Sequence, residues 1–109
     1  MNVKIFPPAE ARLIEIWNYT FDTWSEEQAD SYLQGLINRI HSVAQKRYSW
    51  RPVADRTLRD VWFIRYEKHY IFFRALPEGD LGIISVLHES MNIPARLKED
   101  ETKFPPPTR

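Results

Sequence analysis

Apolar residues recur every three or four positions in the first part of the chain and alternate singly beyond residue 60. The clearest stripe is Ala29, Tyr32, Leu33, Leu36, Ile37, Ile40, Val43 and Ala44, the repeat of one helix face turned toward a core. Ser25 followed by Gln28 has the form of a capping box, which satisfies backbone N–H groups that the first turn leaves unpaired. Glu26, Glu27 and Asp30 near the start and Lys46 and Arg47 near the end complement the helix dipole. An earlier stripe over residues 9–24 contains Leu13, Ile14, Ile16, Trp17, Tyr19, Phe21 and Trp24, a surplus of aromatics for one helix face. Pro8 can open this helix, because a first turn has no partner for the N–H that proline lacks. Almost no linker separates the two stripes, so they predict an antiparallel helical hairpin.

The remaining elements read as strands. Residues 2–6, with Val3 and Ile5 alternating, predict a short first strand stopped by Pro7 and Pro8. Residues 60–66, 69–76 and 81–88 predict three more, joined at Glu67-Lys68 and at Pro77-Glu78-Gly79-Asp80. Residues 49–60 contain Pro52 and no periodicity, and are expected to be a plain connection. Residues 90–97 predict one or two helical turns, limited by Pro94. The fold class is therefore α+β in the order β-α-α-β-β-β, a helical hairpin packed on one face of a small, mostly antiparallel sheet, with a short C-terminal helix. One domain is expected over residues 1–97, with 98–109 as a flexible, charged tail ending in Phe104-Pro105-Pro106-Pro107.

Composition narrows the chemistry. The chain has 109 residues, 43% of them hydrophobic, and no cysteine, so neither disulfides nor a thiolate zinc site can support it. No apolar run approaches the roughly 18 residues of a membrane span, and the N-terminus lacks a signal-peptide pattern; a cytoplasmic protein is expected. Net charge is zero but segregated: residues 1–45 hold three basic and six acidic side chains, 46–74 eight and three, and 75–109 four and six. Phosphate neutralisation dominates nucleic-acid affinity, so zero net charge speaks against nucleic acid as the main ligand. The basic middle suits an acidic protein segment better. His41, His69 and His88 have no metal-ligand spacing, and neither a metal nor any cofactor is expected.

Few residues invite a catalytic reading. His88 ends the last strand, where a histidine locking the strand-to-helix turn competes with a general acid. Arg65 shares a strand face with Val61 and Phe63, and Arg74 with Tyr70 and Phe72, positions from which an arginine can stack on aromatics or anchor an acidic segment. Trp24, Trp50 and Trp62 are expected in the core or its rim, although an exposed Trp62 would favour an interface.

The order and spacing of these segments resemble the RelE/ParE toxin superfamily, and its ParE branch in particular. The matching features are Glu15-Ile16-Trp17-Asn18-Tyr19, the Trp24-Ser25 joint, Gln28-Ala29 with Tyr32, Tyr66 followed by His69-Tyr70-Ile71-Phe72-Phe73-Arg74, and Ile84, Leu87-His88 and Met91. The resemblance implies a type II toxin that inhibits DNA gyrase by protein–protein contact rather than by catalysis. It further implies a hetero-oligomer with a small ParD-like antitoxin, which carries a DNA-binding N-terminal part and a C-terminal segment that wraps the toxin. The toxin alone is expected to bind neither DNA nor membrane. Arg59, Trp62, Arg65, Arg74 and Met91 are the partner-binding residues expected on this reading. RelE-like relatives instead cut mRNA on the ribosome, and here Arg65, Arg74 and His88 would form such a set; a non-toxic, antitoxin-binding relative is a further alternative. His88-Glu89-Ser90-Met91 stands where an RNase more often has a tyrosine, which favours the binding toxin.

Overall fold

The computed structural model describes residues 2–55, 57–58 and 60–103. Two prolines separate the first strand from the first helix: β1 (Val3–Ile5) stops and α1 (Pro7–Thr23) begins with proline in its first turn. After a one-residue joint at Trp24, Ser25 caps α2 (Glu26–His41), its hydroxyl oxygen accepting from the Gln28 N–H at 3.0 Å. Two short 3-10 turns, Val43–Gln45 and Arg47–Ser49, lead to β2 (Arg51–Pro52). Then come β3 (Val61–Tyr66), β4 (His69–Ala75), β5 (Leu81–His88) and α3 (Ile93–Thr102). The sheet order is β1-β5-β4-β3-β2; β1 runs parallel to β5 and every other pairing is antiparallel.

The α+β class, the helical hairpin and the strand meander agree with expectation, and three features differ. First, the connection over residues 49–60 contains β2, a two-residue edge strand pairing Arg51 with Phe63 and Pro52 with Trp62. A proline fits there because an edge strand needs hydrogen bonds on one side only. Second, the C-terminal helix does not end at Leu97 but continues to Thr102 with Asp100 buried, so residues 98–102 are helix and not tail. Lys98-Glu99-Asp100-Glu101 looks like a solvated charge run, yet ion pairs hold all three of its acids against the domain. Residues 104–109 lie outside the described residues.

Third, both sheet faces are covered. Leu13 of α1, with Leu36 and Ile40 of α2, packs on Ile64, Ile71, Phe73, Ile83 and Val86. On the other face Leu97 of α3 and Leu58 pack on Val61, Phe72, Ile84 and Leu87. Accordingly β5 is buried at every position from Leu81 to Leu87, as a strand between two layers should be. A β-bulge interrupts its alternation: Phe72 pairs with Ser85 and Phe73 with Ile83, leaving Ile84 as the extra residue. The bulge puts both Ile84 and Ser85 on the α3 side. It thereby turns Val86 and His88 toward the hairpin.

Candidate functional site

Between the tip of the helical hairpin and the far end of the sheet lies a cleft of about 540 Å³. Ile16, Tyr19 and Trp24 form its helical wall, Tyr32 and His69 its floor, and Val86, His88, Ser90 and Met91 its far side. Trp24 is 73% exposed and Tyr19 69%, unusual for large rings on a well-packed hairpin. Phe21, also exposed, stacks on Trp17 with centroids 5.2 Å apart. Trp17 in turn donates its indole N–H to Asp30 at 2.9 Å, which joins the two helices near their tip.

The floor is a polar network set by the β3–β4 turn. The Tyr32 hydroxyl lies 2.7 Å from His69 Nδ1. His69 is buried and meets His88, its cross-strand partner, edge to face with ring centroids 5.0 Å apart. Burial drives His69 down to about 4, and neighbouring His88 adds to the shift, so the ring is neutral near pH 7. A neutral ring can accept at Nδ1, so Tyr32 donates to it. Burial also raises the Tyr32 phenol, which keeps this donor protonated. His88 Nδ1 accepts the backbone N–H of Ser90 at 3.0 Å and lies 2.7 Å from the Ser90 hydroxyl. In the neutral ring that leaves the proton on Nε2. Both histidines thus spend Nδ1 on holding the floor together, and the strand-to-helix lock expected of His88 is present. Charge sits at the rim, in Glu15, Glu67, Lys68 and Arg12.

Arg12 is committed elsewhere. Its guanidinium grips Asp100 of α3 through Nε at 2.8 Å and Nη2 at 3.0 Å, and the hydrogen bonds to Asp100 raise its affinity for its proton. Ser85 donates to the same carboxylate at 2.6 Å.

Few of the sequence-predicted residues meet in the cleft. Met91 lines it. Trp62 is half-buried against Trp50, ring centroids 6.0 Å apart, and belongs to the core rim. Arg74 is buried on the α3 face and pairs with Glu101 at 3.3 Å. Arg65 lies on that same face, exposed, over the Tyr70 ring and paired with Glu89. Arg59 lies outside the described residues. The set Arg65, Arg74 and His88 is therefore divided between the two sides of the sheet, with only His88 opening to the cleft. Trp24, expected in the core or its rim, is instead exposed at the cleft, and Tyr19 stands beside it; the aromatic surplus of the first stripe, more rings than one buried face can hold, is the signal for both. Among the described residues no cluster of metal-ligating side chains occurs, and no helix is long and apolar enough to cross a membrane.

Residues 3–93 match the family model described as the ParE toxin of the type II toxin–antitoxin system parDE. The chain belongs to the ParE toxin family. Toxin ParE1 of Mycobacterium tuberculosis is 32% identical over 91 residues, covering 84% of this chain and 92% of that one. Toxin ParE1 of Caulobacter vibrioides is 34% identical over 90 residues, covering 82% and 90%. Among solved structures, a chain of the chromosomal ParDE system of P. aeruginosa superposes with a TM-score of 0.69 at 17% identity, over 81% of this chain and 95% of that one. A chain of the M. tuberculosis toxin–antitoxin complex RelBE2 gives 0.59 at 12% identity, over 80% and 95%. At such identities the two structures establish a shared fold, and the ParE assignment rests on the family match and the ParE1 relatives. A ParE toxin with this cleft offers an aromatic wall, a rigid neutral floor and a charged rim, which is the chemistry of recognition.

Proposed function

We propose that this ParE-family toxin acts in the cytoplasm by protein–protein contact with DNA gyrase, and that a cognate antitoxin neutralises it by laying an amphipathic segment into the cleft. The observation that carries the docking site is the pair of exposed rings, Tyr19 and Trp24, standing over a cleft with a neutral floor. Tyrosine and tryptophan are enriched among the few residues that dominate binding energy, and a helix can place anchors at i, i+3 and i+7 against such a wall. Antitoxin binding accords with the two structural neighbours, one from a ParDE toxin–antitoxin system and one from the toxin–antitoxin complex RelBE2. Gyrase as target follows from the ParE resemblance.

Inducing the protein without its antitoxin tests the target. Growth arrest with DNA breaks and intact mRNA is expected; arrest with intact DNA, or with codon-spaced mRNA cuts, overturns it. The docking site is tested by Tyr19→Ala/Trp24→Ala, which should weaken antitoxin affinity at least about 100-fold if both rings are hot spots. Unchanged affinity would move the antitoxin to another face.

A further inference from the structure

Tyr19 serves the cleft, but α1 has a second apolar flank that the cleft does not use. Ile14, Trp17 and Phe21 recur at i, i+3 and i+7 and so share one side of the helix, about 140–160° around it from Tyr19. Ile14 is 57% exposed and Phe21 45%. The Phe21 ring stacks on Trp17, and Trp17 donates to Asp30 of α2, so this flank continues across the helical pair. On α2, Glu26, Leu33 and Ile37 lie on the Asp30 side by their three-, four- and seven-residue spacing from it. Leu33 and Ile37 are half-buried, and none of these residues lines the cleft. The charge around the flank has one sign. Residues 13–38 contain Glu15, Asp22, Glu26, Glu27 and Asp30 and neither Lys nor Arg, and Glu10 stands one turn before Ile14 on the same side. Among the described residues Glu10, Glu26 and Asp30 take part in no ion pair.

We infer, resting on the reading of a toxin that acts by protein–protein contact, that this outer flank docks the toxin's target. Ile14, Trp17 and Phe21, with Leu33 and Ile37, receive a segment of that target which carries apolar anchors among Lys or Arg side chains. A contiguous exposed apolar patch rimmed by polar residues marks an interaction surface. Its charge selects a basic partner over a second copy of this chain. A two-fold dimer presents the same patch to itself and would set Glu10, Glu26 and Asp30 against like charges, whereas a cationic segment neutralises them. The antitoxin segment keeps the cleft, on the other side of α1. The two still exclude one another. An interface of about 800 Å² per partner is roughly 30 Å across, about three times the breadth of a helix, so a target seated on the outer flank overlaps an antitoxin in the cleft. Neutralisation follows from that overlap without a shared set of contact residues.

The test induces the full chain without antitoxin and scores colony formation, with the antitoxin affinity of each purified variant measured alongside. Ile14→Ser/Phe21→Ser removes two exposed anchors and should restore colony formation at least about 100-fold, while antitoxin affinity stays within about twofold. Glu10→Lys/Glu26→Lys leaves the apolar flank intact and should relieve growth arrest at least about tenfold through charge alone. Thermal melts confirm that each variant is folded. Full arrest by both variants, antitoxin affinity lost together with arrest, or a wild-type dimer in light scattering that Phe21→Ser dissociates would each overturn the inference. DNA breaks are scored separately: wild-type arrest without them overturns gyrase as the target, and the outer flank is still judged by the two variants.

Discussion

His69 shows how one buried ring ties the site to the stability of the molecule. An imidazole in an unfolded chain takes up a proton near pH 6.5, whereas burial holds native His69 to about 4. Between those values the unfolded state binds the additional proton, so stability rises with pH there. The His69 contribution is complete above about pH 6.5 and is lost as pH falls toward 4, with a slope of about 1.4 kcal/mol per pH unit and a total on the order of 3 kcal/mol. His69→Gln keeps an acceptor for the Tyr32 hydroxyl but does not titrate. Urea unfolding at several pH values should therefore show wild type losing more stability than the variant on acidification. Parallel curves would mean that the ring is not desolvated in solution. A histidine beside a two-residue turn gives no sign of this in sequence, because its desolvation comes from Tyr32 on α2 and His88 on β5, both far away along the chain.

At the scale of elements, the floor depends on how closely α2 approaches β3. Gly35 makes that approach possible: a Cβ there would stand 1.9 Å from the Tyr66 hydroxyl oxygen and 2.7 Å from the ring carbon bearing it. Tyr66 cannot turn freely, since its ring meets Tyr32 edge to face at 5.4 Å. Gly35→Ala gains about 1 kcal/mol of helix propensity, but the overlap should cost more, for a net loss of about 1–2 kcal/mol. In a Tyr66→Phe background the closest clash disappears and the loss should shrink. A double-mutant cycle measured by chemical denaturation reads that coupling directly, and additive effects would contradict it. The elements themselves were largely legible, because α2 keeps a clean helical stripe and β3 and β4 alternate around a turn. Three things were not. β2 has two residues and no period to detect. The bulge at Ile84 adds a residue without altering the apolar run, although it decides which way His88 faces. The continuous burial of β5 also implies a second covering layer, which a reading with one apolar face per element does not supply.

The second layer has to be tied to the first, and Arg12 joins them across the whole molecule through ion pairs with Asp100 and, more weakly, Glu99. Arg12 belongs to α1 on the hairpin face of the sheet and Asp100 to α3 on the opposite face, 88 positions later. They can meet because β1 pairs only with Leu81–Ile83, and the next residues of β5 have no strand on that side. The Asp100 side chain is 2% exposed and that of Arg12 12%, so a lost partner would leave a poorly hydrated charge. Asp100→Ala removes the acceptor of Ser85 and the least exposed partner of Arg12, which keeps the more exposed Glu15 at 3.2 Å and Glu99 at 3.5 Å; a destabilisation of about 1–3 kcal/mol is expected. Desolvation also limits what the intact pair contributes, so Arg12→Met/Asp100→Leu should recover most of that loss. Deleting residues 98–109 separates a tail from a structural helix. A tail would leave the unfolding midpoint unchanged, whereas loss of the partners of both Arg12 and Arg74 should lower it at least as far as Asp100→Ala does. An unshifted midpoint in the truncated chain would remove α3 from the folded unit and return its boundary to Leu97.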